Sequence, residues 1–179
     1  MNLPAQFQYL ATEPGPQILL AALRDYGLKE VVGPGNNPRI MQMAKNVGAS
    51  SYYGADAIPW CALGVSDWCK QAGFPLPPDP LAALSWGKFG NAVALGDERL
   101  GDVLVKARIG GGHVGLYVGE TPSHYAVLGA NQGDQVCIAW FPKSVFSHIR
   151  RCPWKVSQPA NVRKVVLGSA GPVKTVSEA

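Results

Sequence analysis

The chain is poor in the features that mark several large classes of protein. No run reaches the ~18 apolar residues needed to span a bilayer, and the first twenty residues, MNLPAQFQYLATEPGPQILL, lack a basic start followed by an apolar stretch. These two absences predict a protein made in the cytoplasm without a signal peptide and without stable membrane insertion. Cysteine is sparse: Cys61, Cys69, Cys137 and Cys152 form no paired CxxC spacing. That excludes the common zinc-site pattern, and reduced thiols are the expectation for a chain with no secretory signal. Charged residues make up only 16% of the chain and the formal net charge is +4. The late basic residues Lys143, Arg150, Arg151, Lys155, Arg163 and Lys164 bring no helix-turn-helix or finger pattern with them. Nucleic acid is therefore not the expected partner.

Turn-forming residues, by contrast, are plentiful. Twenty-one Gly and fifteen Pro in 179 residues are too many for a helical bundle and predict a loop-rich α+β domain. A chain of this length with 47% hydrophobic residues can bury one substantial core, so a single domain is expected, and with it a monomer.

The apolar spacing predicts an amphipathic helix over 16–26, a second over about 38–47 entered at Asn37-Pro38 and ended by Gly48, and a third from about Pro59 to Ala72 closed by Gly73. The stretch FPLPPDPLAALSWGKFG reads as a long surface connection with a short helix near 79–86. From residue 91 onward, NAVAL, GDVLVKA, GHVGLYVGE, HYAVLGANQ, QVCIAWF and SHIRRCPW are short runs with β-branched residues and turn signals, which predicts five or six antiparallel strands. Residues 1–155 form the expected single domain, and 156–179 a C-terminal extension with one strand, VRKVVLG, followed by a disordered tail.

Cys61 falls in the first turn of the third helix. A thiol becomes a nucleophile as the thiolate, which a helix N-terminus and a neighbouring cationic histidine both favour. His113 opens the strand GHVGLYVG, where alternation sets Val114, Leu116 and Val118 on an inward face and His113, Gly115 and Tyr117 on the other. On the next strand Asn131 shares a face with Tyr125, Val127 and Gly129, within expected reach of the far nitrogen of His113. Gly115 and Gly129 leave room there for the first turn of the cysteine helix. Cys61, His113 and Asn131 then read as nucleophile, base and orienter. Asp134 is the alternative to Asn131, whereas Gln132 is expected on neither the right face nor at the right distance.

Taken singly, each of these residues is ordinary. A cysteine between Trp60 and Ala62 is most often a small buried hydrophobe, and His124 and His148 carry no polar partner pattern. Cys69 lies two turns, about 12 Å, along the helix from Cys61, too far for a disulfide. The constellation, rather than any one residue, carries the signal.

The run Asp56-x-x-Pro59-Trp60-Cys61-Ala62 with Trp68-Cys69, the strand start Gly101-Asp102-Val103, Gly112-His113-Val114-Gly115 with Tyr117, and Leu128-Gly129-Ala130-Asn131-Gln132 resemble the CHAP and NlpC-type papain-like peptidoglycan hydrolases, as does Gly35-Asn36-Asn37-Pro38. The resemblance spans about residues 15–142. The family's run after the cysteine is close to CAAFVNWC, whereas this chain reads CALGVSDWC, and the interior Gly64 marks a close packing contact. The resemblance implies a papain-like fold, with N-terminal helices packed on the sheet that carries the histidine. It also implies cleavage of an amide in bacterial peptidoglycan with no cofactor or metal, as in phage endolysins released through holin lesions or in secreted toxins met by immunity proteins.

In that frame the backbone N–H of Cys61 supplies one oxyanion donor, and Tyr53, Asp56 or Trp60 in the preceding loop contributes to the oxyanion or substrate site. The rival reading is a binding module without turnover, its Trp86, Trp140 and Trp154 stacking on sugars or packing the core. A redox or transferase reading lacks the CxxC that it needs.

Overall fold

The computed structural model describes residues 2–13, 15–108, 110–154, 157–158 and 160–170. The part of the expected tail beyond residue 170 lies outside these.

Four helices precede the sheet: α1 (Tyr9–Thr12), α2 (Gln17–Arg24), α3 (Pro38–Val47) and α4 (Cys61–Gln71). α3 matches its predicted bounds because its ends are encoded locally. The Asn37 side chain accepts from the Arg39 N–H at 2.9 Å, Pro38 occupies the first helical position, and Gly48 turns left-handed at the end. α2 stops sooner than the apolar pattern suggests, at Arg24. In the long connection the short helix is of the 3-10 type and sits at Ala83–Lys88, later than expected.

Six strands follow: β1 (Asn91–Ala92), β2 (Val103–Arg108), β3 (Gly111–Glu120), β4 (His124–Gly129), β5 (Cys137–Pro142) and β6 (Phe146–Arg151). They form one sheet in the order β1-β6-β2-β3-β4-β5, with every neighbouring pair antiparallel. The α+β class and the strand count are therefore as expected. The first β2–β3 pairs set His113 across from Lys106 and Gly111 across from Arg108.

Both faces of this sheet are buried. Val103, Val105, Val114, Leu116, Val118, Ala126 and Leu128 join the helices in the main core, while Leu104, Tyr117, Tyr125, Val127, Ala139, Phe141 and Ile149 form a second apolar cluster. The alternation predicted for β3 holds, but the face opposite the helices is a second core rather than a solvated surface. The described part of the C-terminal extension packs on this body. Val162 and Val165 are buried, Leu100 N–H donates to Arg163 O at 3.0 Å, and Leu167 N–H donates to Glu120 O at 2.8 Å. Instead of a full strand, the extension makes a single parallel bridge between Glu120 and Val166.

A buried polar network that no local pattern announces ties the helices together. Arg39 of α3 donates from Nε and Nη2 to Asp25 at 2.8 and 2.7 Å, and its Nη2 also reaches Asp67 of α4 at 2.5 Å. Trp68 Nε1 donates to Asp25 at 2.8 Å, and Asn46 and Gln71 complete the Asp67 carboxylate at 2.7 and 2.8 Å. Burying carboxylates costs several kcal/mol unless they are fully paired, and these are. The position of α4 is thereby fixed against α2 and α3.

Candidate active site

Cys61 is the first residue of α4, and the residue before it, Trp60, provides no side-chain cap. The N–H groups of the opening turn have no intrahelical acceptors, so their partial positive charge is directed at the sulfur's end of the helix. Cys61 is partly exposed, whereas Cys69, on the same helix, is fully buried. Burial pushes the Cys69 thiol up to about 12 and that of Cys152 up as well, the latter also raised by its neighbours Cys69 and Asp102. These two thiols stay protonated and inert.

Three residues of the preceding loop hold that helix start in place. Trp60 is buried and donates from Nε1 to Glu30 Oε1 at 2.6 Å. Asp56 accepts from the N–H groups of Val31 and Asn37 at 2.9 and 2.8 Å, while its own N–H donates to Asn36 Oδ1 at 2.9 Å. The Tyr53 hydroxyl donates to Ile58 O at 2.8 Å. Burial above all, followed by the charges of Glu30, Asp56 and Cys61, raises the Tyr53 phenol and keeps it protonated. Tyr53, Asp56 and Trp60, expected to serve the oxyanion or substrate, thus make polar contacts within the loop and to Glu30, contacts that hold the helix start.

Cys61 opens into a cleft of about 270 Å³ that it shares with Pro59, Leu81, Leu84, Arg108 and the glycines at 110–112. That cleft brings the thiol to Gly111 and Gly112 at the head of β3; His113, the next residue, does not line it, and its ring lies on the side of Phe141 and the second cluster. α4 packs on β3 and on β4. The helix can approach so closely because Gly64 has no side chain: a Cβ there would lie 2.5 Å from that of Ala130. The room on the other face goes elsewhere than expected. A Cβ on Gly115 would meet Val127 at 2.5 Å, not the helix.

His113 is buried, its ring 5.8 Å from that of Phe141. Its Nε2 lies 3.0 Å from Gln132 Oε1. The side chain at this ring nitrogen is thus Gln132, where strand alternation led to the expectation of Asn131. β4 ends at Gly129, and Asn131 adopts a left-handed backbone with φ of 53°. Alternation is lost at that turn, so the next side chain is the one delivered to the imidazole. Asn131 is itself buried with its Oδ1 unpaired, and Asp134, at φ of 59°, borders a separate hollow with Lys29, Glu30 and Gly133.

The Gln132 amide is held in one orientation. Its Nε2 donates to Val127 O at 3.2 Å and to Cys137 O at 2.7 Å, two carbonyls that can only accept. Oε1 therefore faces the ring and takes the proton of Nε2, which leaves the Nδ1 lone pair as the basic site. Gly129 is required here, since a Cβ would stand 2.6 Å from Gln132 Oε1 and 3.2 Å from His113 Nε2. The signal that could have identified Gln132 is the Asn-Gln-Gly-Asp turn itself, in which a residue tolerant of left-handed φ precedes the glutamine.

Trp86 and Trp140 are buried in the main core, and Trp154 packs partly buried against it, so the first two offer no sugar-stacking surface. Among the described residues no helix is long and apolar enough to cross a membrane, and no three His, Cys, Asp or Glu side chains gather as metal ligands.

No protein-family model and no curated protein matches the chain. Among solved structures, the P60 domain of an antigen from M. avium paratuberculosis aligns over 82% of this chain and 95% of its own, at 14% identity and a TM-score of 0.44.

Proposed function

We propose that the chain is a papain-like cysteine hydrolase of the CHAP/NlpC type that cuts an amide in bacterial peptidoglycan, acting as a monomer at the cell wall. One observation carries the reading: a partly exposed cysteine at an uncapped helix start opens into a cleft bounded by the strand that bears His113, a histidine whose far nitrogen is locked by Gln132.

In this mechanism Nδ1 of His113 takes the thiol proton, and the Cys61 sulfur attacks the amide carbonyl while N–H groups at the start of α4 stabilise the oxyanion. The imidazolium then protonates the leaving amine. Water hydrolyses the thioester, returning the thiol and releasing the acid. Delivery as a phage lysin through holin lesions, or as a secreted toxin, belongs to the same proposal.

The test is mass spectrometry of fragments released from purified peptidoglycan by the wild-type protein and by Cys61→Ala. Fragments made by the wild type alone support the hydrolase and name the bond. Release that survives in Cys61→Ala rules out the nucleophile, and no release from walls of several chemotypes rules out the activity.

A further inference from the structure

We infer that Cys137 is a positioning residue that grips Gln132 by both its backbone and its side chain and so fixes the tautomer of His113. Its effect on turnover rests on the hydrolase reading above; its hold on the imidazole does not.

Gln132 sits in a turn that ordinary side chains disfavour. Asn131, Gly133 and Asp134 have φ of 53°, 67° and 59°, all in the left-handed region. Non-glycine residues there carry a steric cost and persist where surrounding contacts over-determine them. The outer part of the turn is held from the segment that follows α2. Gly27 N–H donates to Val136 O at 2.9 Å, Val136 N–H to Leu28 O at 2.8 Å and Glu30 N–H to Asp134 O at 3.0 Å.

The glutamine itself is held by Cys137. Its N–H donates to Gln135 O at 2.9 Å, and its carbonyl accepts from the Cys137 thiol, with Sγ at 3.3 Å. On the side chain, Nε2 donates to Cys137 O at 2.7 Å and lies 3.7 Å from the same sulfur. Among the described residues, Cys137 is the one that hydrogen-bonds to both the main chain and the amide of Gln132.

Strand register explains why the sulfur is there. Cys137 opens β5 opposite Gly129, the glycine whose missing Cβ leaves room for Gln132 Oε1. Residues directly opposite in an antiparallel pair project to one face, so thiol, amide and imidazole meet on the same side of the sheet. A thiol is a weak donor and a weak acceptor, but both contacts bear on an amide whose orientation decides the chemistry. Were the amide turned over, its N–H₂ would face His113 Nε2 and require a lone pair there. The ring proton would then sit on Nδ1, which could no longer take the thiol proton of Cys61.

The test compares Cys137→Ala, which removes the sulfur and leaves the carbonyl, with Cys137→Val, which fills its volume without a donor, and Cys137→Ser, which restores one. The readouts are the nitrogen-15 NMR shifts of the His113 ring, at a pH where it is neutral, and kcat and KM on muropeptides. In the wild type the two ring nitrogens are expected at well-separated shifts, Nε2 protonated and Nδ1 bare. In Cys137→Ala and Cys137→Val the shifts converge as the second tautomer is populated, and kcat falls about threefold to tenfold with KM within about twofold; Cys137→Ser keeps the separation and most of kcat. Added to Gln132→Ala, Cys137→Ala has no further effect on kcat. Ring shifts unchanged in both Cys137→Ala and Cys137→Val overturn the inference whatever happens to kcat, as does a loss that adds in full to that of Gln132→Ala. A wild type that cuts no muropeptide overturns the hydrolase reading alone, and the ring shifts then decide the role of Cys137.

Discussion

The two ends of α4 carry the same residue type in opposite chemical settings. At the N-terminal end Cys61 is partly exposed, uncapped and open to a cleft; toward the C-terminal end Cys69 is sealed in the core, with its thiol pushed up to about 12. The helix supplies a cysteine at each place, yet reactivity depends on which end faces a cleft and which end anchors the fold. The anchor, the Asp25–Arg39–Asp67 cluster, lies nearer Cys69 in sequence and holds the helix while its other end borders the cleft.

The sharpest break of this contrast is by substitution of each thiol. Cys61→Ala is expected to reduce peptidoglycan hydrolysis by about 10⁴-fold or more, while Cys69→Ala changes it less than about twofold; steady-state release of muropeptides measures both. Arg39→Met strikes the anchor. It leaves Asp25 and Asp67 buried without their cation and should cost about 3–5 kcal/mol of stability in urea unfolding, with the loss absent from a surface control such as Arg24→Met. Gln132→Ala tests how the partner of Cys61 is held. Without the amide the imidazole tautomer is no longer selected, and kcat should fall about 10- to 100-fold with KM little changed, whereas Asn131→Ala should cost less than about threefold.

A further effect is on pH dependence. The Cys69 thiol is raised by burial from 9.0 to about 12, so the folded state binds its proton more tightly than the unfolded chain does. Its contribution is fully present below the unfolded value and is lost as pH rises from about 9 toward 12. Thermal melts between pH 8 and pH 11 should show stability falling by up to about 1.4 kcal/mol per pH unit for each such group. The slope should be shallower in Cys69→Ala.

Elements whose ends are encoded by neighbouring residues were legible in the sequence. Asn37-Pro38 and Gly48 bound α3, Pro59 marks the approach to the Cys61 helix, and alternation marks the strands. Features that depend on the meeting of distant segments were not. The Arg39 cluster joins residues 14 to 42 positions apart, counting Asp25 to Arg39 and Asp25 to Asp67, and no spacing rule reaches across that distance. Asn131 rather than Gln132 was expected at the imidazole because a period of two was carried past Gly129, through a left-handed Asn131 that ends it. Likewise Tyr53, Asp56 and Trp60 were singled out by their place in the motif before Cys61. Only the contacts with Ile58, Val31, Asn37 and Glu30 reveal that they shape the loop.

The most direct test of the contrast along α4 is competitive alkylation at neutral pH, with each cysteine read by mass spectrometry and hydrolysis measured on the same samples. The account predicts that Cys61 is modified first, that activity disappears in step with it while Cys69 and Cys152 remain intact, and that modification of Cys61 slows in His113→Ala. Hydrolysis that persists in protein fully modified at Cys61, or a Cys61 rate equal to that of the buried thiols and indifferent to His113, would contradict it.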